Sequence, residues 1–201
     1  MIRLYDYLPS GNGYKVRLLL TQLEVPFERI ELDINRGETR TAEFLAKFPN
    51  GRIPAVEFED GRRLFESNAI LFYFAEGTPM LSDHKFERAR TMQWLFFEQY
   101  SHEPHIAVAR FLRMYPQVAD DRRERMAKIQ KLGRDALAVM EGHLADREWF
   151  VGGRYSIADI ALFAYTHVAG EGGFDLAPYP AVRAWLGRVK LQPRHIPITE
   201  R

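Results

Sequence analysis

The 201-residue chain contains no cysteine. A protein without a thiol has no disulfide, no thiolate ligand for a metal and no cysteine nucleophile. The chain also lacks an excess of either charge, since 28 basic residues stand against 27 acidic ones and the formal net charge is +1. The dense basic surface that binds nucleic acid or an anionic membrane is therefore not expected.

Long apolar runs are absent as well. No segment approaches the roughly 20 apolar residues of a membrane span, and the N-terminus has no apolar run of signal-peptide length. What the chain does have is 46% hydrophobic and 13% aromatic residues, a composition typical of globular proteins. A cytoplasmic location is the default expectation.

The first 76 residues alternate between strand and helix patterns. A short strand at 2–6 is followed by turn residues at 8–13, by apolar residues at helical spacing over 16–23 and by a second strand at 28–32. A short helix around 42–48 comes next, and Asp60-Gly61 is a strong hairpin signal before another helix. The order β-α-β, helix, β-β-α predicts an α/β thioredoxin-like domain.

A linker at 77–84 separates this domain from a second one at 85–201, in which helical patterns dominate. Long helices are predicted at 86–115, where Pro104 should kink or break the helix, and at 122–144. Ser156 and Asp159 have the spacing of a capping box, and we expect Asp159 to be structural. A helix after Pro180 completes an all-α bundle.

Pro54 opens the strand pattern of residues 55–58. Because proline has no N–H for a ladder, it is expected at the first position of a strand or on an edge. If the Ile53–Pro54 bond is cis, the backbone N–H and C=O of Ile53 turn outward and can pair with an extended ligand. The sequence does not determine the isomer.

Glu66 and Ser67 come just before the helix that follows the hairpin. The Ser67 hydroxyl and the N–H groups of the first turn suit a carboxylate, while Glu66 can accept from an ammonium. The pair therefore suits the α-amino acid end of a ligand. Read alone, it has a simpler interpretation, in which Ser67 is an ordinary N-cap and Glu66 interacts with the helix dipole.

Ser10 and Asn12 lie at the entrance of the first helix, where the helix dipole favours an anion. A helix N-terminus also lowers the pKa of a thiol, and the thiolate is the form that attacks electrophiles. Because the chain has no cysteine, such a thiol must come from the ligand. The alternative interpretation is that both residues are helix caps.

Taken together, these motifs resemble the cytosolic glutathione transferases, and the resemblance covers the whole chain. It rests on Ser10-Gly11-Asn12, on residues 50–56 with Pro54, on residues 66–70 and on the cap at 156–159. The pattern is most similar to bacterial members of serine or asparagine type, theta-like or nu-like.

The resemblance implies that glutathione, as co-substrate and without a metal, lies extended on the first domain. Its γ-glutamyl carboxylate and amine would bind Glu66 and Ser67, with Asn68 as a further contact. Its cysteinyl backbone would pair with Ile53, next to Pro54.

At the glycyl end, Arg52 matches a position that is often basic in the family. Thr39 falls where some relatives have a histidine, so that contact is expected to be weaker or absent. Three residues match positions that activate the sulfur in different members, and we rank Ser10 first, Asn12 second and Tyr7 third.

The second substrate is expected near the predicted kink of the helical domain, where polar and apolar residues alternate. The pocket residues predicted for this substrate are Pro9, His102, His105 and Ile106. The two histidines lack the spacing of a zinc helix, and a local structural role is the alternative.

The implied activity is glutathione transfer, in which a stabilised thiolate attacks a hydrophobic electrophile, as in detoxification. Alternatives are glutathione-dependent disulfide reduction or peroxide reduction on the same fold, and a non-enzymatic binding protein. The resemblance also implies a homodimer, with the first domain of one subunit against the helical domain of the other.

Overall fold

A computed structural model describes residues 1–115 and 122–200, and the side chains of residues 122–124 are left out of the description. The chain forms two compact units. The first comprises Met1–Gly77 together with the residues from Pro193 on, and the second comprises Thr78–Gln192. The sequence-based boundaries place everything after residue 84 in the helical domain.

The first unit has a four-stranded sheet and three α-helices. Their bounds are β1 Ile2–Asp6, α1 Gly11–Gln22, β2 Phe27–Glu31, α2 Ala42–Lys47, β3 Ala55–Glu57, β4 Arg63–Phe65 and α3 Ser67–Ala75. The strand order is β2-β1-β3-β4, with β1 and β2 parallel and the other pairs antiparallel. This is the predicted thioredoxin-like arrangement, with its hairpin at Asp60-Gly61.

Alternation along β1 gives the sheet two apolar faces, because successive side chains of a strand point to opposite sides. Leu4 packs on one side with residues of α1, β3 and α3, namely Val16, Leu20, Val56 and Ile70. Tyr5 packs on the other side with Phe44 and Phe48 from the α2 region. The sheet is thus covered by helices on both faces.

The second unit is helical. Its α-helices are α4 Lys85–Phe97, α5 Glu103–Met114, α6 Arg122–Leu144, α7 Ile157–Thr166 and α8 Pro180–Lys190. A π-helical turn at Glu98–His102 separates α4 from α5, so the predicted break starts ahead of Pro104. Proline lies in the first turn of α5, where a missing N–H costs no hydrogen bond.

The cap of α7 confirms the structural role predicted for Asp159. This fully buried carboxylate accepts hydrogen bonds from Ser156 N (2.9 Å), Ser156 Oγ (3.0 Å), Phe150 N (3.3 Å) and Trp185 Nε1 (2.9 Å). Burial raises the pKa of Asp159 to about 6, although these donors pull it down. The cap thereby ties α7 to α8 and to the segment before it.

The C-terminal segment packs along α1. Tyr14 donates its hydroxyl to Ile196 O (2.7 Å), and Gln22 donates to Pro193 O (3.3 Å). Arg17 donates to Ile198 O (3.0 Å) and to Glu200 O (2.7 Å). The last residues therefore complete the first unit. Among the helices of the described ranges, none combines the length and apolar character of a membrane span.

Candidate functional site

The turn between β1 and α1 is built around Ser10. Its side chain caps α1 by accepting from Gly13 N (3.2 Å), and its own N–H donates to Tyr7 O (2.8 Å). The hydroxyl proton of Ser10 is thus not used by the cap, because the cap bond uses a lone pair. A Cβ at residue 13 would collide with the Asp6 carboxylate, so the close approach of helix and strand requires glycine there.

A buried ion pair supports this turn from below. Arg17 Nε lies 2.8 Å from Asp6 Oδ2, and both side chains are almost wholly buried. Arg17 also donates to Leu8 O (2.8 Å), while Leu8 N donates to Glu31 Oε1 (3.0 Å). Burial raises the pKa of Asp6, and the neighbouring Arg17 offsets part of that rise. The backbone that leads to Ser10 is therefore fixed on both sides.

Asp6 and Arg17 were not predicted as site residues. A signal for Asp6 is that it ends a strand whose residues Leu4 and Tyr5 pack in the two apolar cores. A signal for Arg17 is that its neighbours Val16 and Leu18 are both apolar, which leaves α1 little surface for solvent at this point.

A chain of hydrogen bonds joins the N-termini of α1 and α3. Lys15, fully buried on α1, donates its Nζ to Ser67 Oγ (3.3 Å), and Ser67 Oγ donates to Asn12 Oδ1 (3.3 Å). Ser67 is only 4% exposed. Two of the predicted site residues, Asn12 and Ser67, are thus in direct contact. Lys15 was not predicted, because a lysine within a helical pattern is ordinarily placed on the solvent face.

Glu66 begins α3 in an unusual conformation. Its φ is 70° and its ψ is 113°, and its side chain makes no capping bond to the helix. Positive φ is uncommon for residues other than glycine, and such outliers concentrate at ligand sites. The exposed carboxylate accepts from Asn50 Nδ2 (2.9 Å). The first N–H groups of α3 consequently have no cap from Glu66.

The Ile53–Pro54 peptide bond is cis, and Pro54 lies directly before β3. Ile53 is half-buried and takes no part in the turn, loop and cap hydrogen bonds between backbone groups of the described residues. Its neighbour Arg52 is exposed. Thr39, in contrast, is 4% exposed within a 3-10 turn at Glu38–Arg40.

Asn68 and Tyr7, the remaining predicted contacts in the first unit, are half-buried. The hydroxyl of Tyr7 accepts from Asn35 Nδ2 (3.2 Å). Pro9 is also half-buried, in the turn between Tyr7 and Ser10.

In the helical unit, His102 is fully buried and its Nε2 lies 2.9 Å from Thr166 Oγ1. Because Thr166 donates its proton to Leu162 O (2.6 Å), His102 Nε2 must carry the hydrogen of the shared bond. Such a ring position supports a structural role. Ile106 is also buried, whereas His105 is half-buried, and burial lowers its pKa. No group of three potential metal ligands occurs among the described residues.

The fold and these features define a class: a thioredoxin-like unit with two helix N-termini and a cis-proline loop at one end of the sheet, followed by a helical unit. Family models agree with it. Residues 1–76 match the glutathione S-transferase N-terminal domain and residues 120–188 match the C-terminal domain. The chain belongs to the glutathione S-transferase family.

Three relatives illustrate the range of this family. The chain is 36% identical over 202 residues to the disulfide-bond oxidoreductase YfcG of Escherichia coli K12, with 96% of this chain and 92% of that protein covered. A glutathione S-transferase structure from Pseudomonas fluorescens is 51% identical, with a TM-score of 0.96 and 99% of both chains covered. Ure2p in complex with glutathione is 26% identical, with a TM-score of 0.86, 96% of this chain and 90% of that chain covered.

Proposed function

We propose that the protein binds glutathione on its first unit and stabilises the thiolate for attack on a second substrate. The observation that carries the proposal is the pairing of α1 and α3 through Asn12 and Ser67, which brings two helix N-termini together beside the cis-proline loop. One terminus suits the γ-glutamyl carboxylate and the other suits the thiolate. A structural relative has been solved with glutathione bound.

Within this site, Glu66 accepts from the α-amino group of the γ-glutamyl residue, and Ser67 offers its backbone N–H to the α-carboxylate of the same residue. Ile53 pairs with the cysteinyl backbone, and Asn68 and Arg52 are further contacts. Thr39 contributes little because it is buried.

Ser10 retains a hydroxyl proton for the sulfur, and Asn12 is the second donor. Tyr7 ranks third. A lowering of the thiol pKa by two units requires about 2.7 kcal/mol, within reach of a charge-assisted hydrogen bond and a helix terminus.

Two reactions of the thiolate are candidates. In transfer, the sulfur attacks an electrophilic carbon and the leaving group departs with the bonding electrons. In disulfide reduction, it attacks one sulfur of a disulfide, forms a mixed disulfide and releases the other sulfur as a thiolate; a second glutathione then yields oxidised glutathione and the second thiol. The 36% identical relative named as a disulfide-bond oxidoreductase favours the second reaction as an alternative.

We propose a pocket for the second substrate at the segment of the helical unit with His105 and Ile106, a homodimeric assembly and a cytoplasmic location. His102, with its fully buried ring, would shape such a pocket from behind.

The test assays the purified protein in the presence of glutathione with two second substrates, a chloronitrobenzene and a small dialkyl disulfide. Conjugation that falls in Ser10→Ala and Asn12→Ala supports transfer, and formation of oxidised glutathione supports reduction. Failure to bind immobilised glutathione would contradict both and favour a non-enzymatic protein. Gel filtration with light scattering measures the oligomeric state.

A further inference from the structure

Lys15 is the least expected residue of the site. It lies within α1 with no exposed surface. Its ammonium nitrogen, Nζ, donates a hydrogen bond to Ser67 Oγ at 3.3 Å. Burying a charge is costly unless it is hydrogen-bonded. The buried Lys15 ammonium therefore constrains Ser67, a group that accepts from it.

The chemistry of the three side chains gives the hydrogen-bond chain a direction. An ammonium group only donates, a hydroxyl both donates and accepts, and a side-chain amide has one accepting and one donating end. A Ser67–Asn12 pair alone can run either way. Lys15 occupies one of the two accepting positions of Ser67 Oγ and so favours one direction, in which Ser67 donates its proton to Asn12 Oδ1, as the structure has it.

The orientation of Asn12 follows from this direction. Since Oδ1 faces Ser67, the donating Nδ2 end of the amide lies on the opposite side of the side chain. The reversed amide would present an oxygen lone pair where the proposed site needs a donor, and a thiolate would be repelled. Fixing one of two amide orientations thus decides whether Asn12 helps or hinders the sulfur.

We propose that Lys15 is a positioning residue that acts through Ser67 to hold the amide of Asn12 with its N–H donors toward the thiolate of bound glutathione. The inference rests on the proposed function, because only a ligand thiolate gives the orientation of Asn12 a consequence. It assigns to one buried lysine a role in activating a sulfur that it does not touch.

The test is an ultraviolet titration of the thiolate in the protein–glutathione complex. The variants are Lys15→Met, Ser67→Ala, Asn12→Ala and the double variant of Lys15→Met with Asn12→Ala. We expect Lys15→Met and Ser67→Ala each to raise the pKa of the bound thiol by about one unit, which is a tenfold change in its acid dissociation constant. In the double variant, Lys15→Met adds nothing to the effect of Asn12→Ala.

Lys47→Met is the matched control. It removes one positive charge from the same unit, at a side chain that bonds Tyr5 and Glu57 instead of the site, and the bound thiol should keep its wild-type pKa. If Lys15→Met does not fold, Ser67→Ala in the Asn12→Ala background tests the same chain of hydrogen bonds.

An additive effect of Lys15→Met in the double variant would show a direct charge effect on the sulfur and overturn the inference. An unchanged thiol pKa in Asn12→Ala would overturn it too. The proposed function would then remain, with Ser10 as the residue that stabilises the thiolate. Wild-type protein that does not bind glutathione at all would instead remove the proposed function.

Discussion

Two serines at the starts of helices, Ser67 at α3 and Ser156 before α7, have similar sequence contexts and opposite environments. Ser156 belongs to a closed cap, in which the Asp159 carboxylate accepts from four donors. At α3 the preceding Glu66 makes no cap bond, and the Ser67 hydroxyl turns to Asn12. A self-capped helix terminus contributes stability, whereas an uncapped one keeps its N–H groups for a ligand.

The largest expected effect is on the closed cap. Asp159→Ala leaves four donors without their acceptor, and we expect the free energy of unfolding to fall by about 3–5 kcal/mol. Glutathione affinity of the folded fraction should not change, because the residue lies in the helical unit. Urea unfolding and calorimetric titration measure the two quantities. Asp146→Ala, at an exposed aspartate, is the control; an equal loss there would contradict the prediction.

The next effect is a pH dependence from the same carboxyl. With a pKa raised from 3.8 to about 6 in the folded state, the folded protein binds an extra proton between these values. Its contribution to stability is complete below pH 4 and is lost as the pH rises through 6, by about 3 kcal/mol. The free energy of unfolding of wild type minus that of Asp159→Asn should fall by about 3 kcal/mol from pH 4 to pH 6.5. A difference that grows over this range would show that the pKa is lowered instead.

Exchanging the two serines for alanine separates the two environments directly. Ser67→Ala should weaken glutathione binding about tenfold and also cost about 1–3 kcal/mol of stability, since the buried Lys15 ammonium loses an acceptor. Ser156→Ala should cost about 1–2 kcal/mol of stability and leave the affinity unchanged. Calorimetric titration and urea unfolding of both variants measure the contrast. Equal patterns in the two variants would remove the distinction.

The smallest effect is expected at the far end of the ligand. Arg52 is exposed, so its attraction to the glycyl carboxylate is worth about 0.2–1 kcal/mol. Arg52→Ala should weaken glutathione binding about threefold and leave the binding of γ-glutamylcysteine, which lacks the glycyl carboxylate, unchanged. An equal loss for both ligands would place Arg52 elsewhere in the site.

Much of this molecule could be predicted from local patterns. The strand and helix order, the hairpin, the α7 cap and the α6 bounds at 122–144 agree with the structure, because each depends on spacing or on turn residues within a few positions. The π-helical turn at Glu98–His102 was not predicted, since its only sequence signal was Pro104, which lies beyond it.

The buried charges show the limit of such reasoning. Asp6, Lys15 and Arg17 are polar by residue type, and only their partners across the fold make burial tolerable. A pattern in one helix does not reveal an ion pair with a neighbouring strand, nor carbonyl groups supplied by residues 196–200. Long-range partners of this kind require the structure.

The C-terminal segment also affects the order in which the protein can mature during translation. Domains generally fold as they leave the ribosome, the N-terminal one first. Here Arg17 and Tyr14 find their acceptors at Ile196, Ile198 and Glu200, which are synthesised only after the whole helical unit. The unit that starts first is therefore completed only after the helical unit has been synthesised, and until then a nascent chain lacks part of the support of its own Ser10 turn.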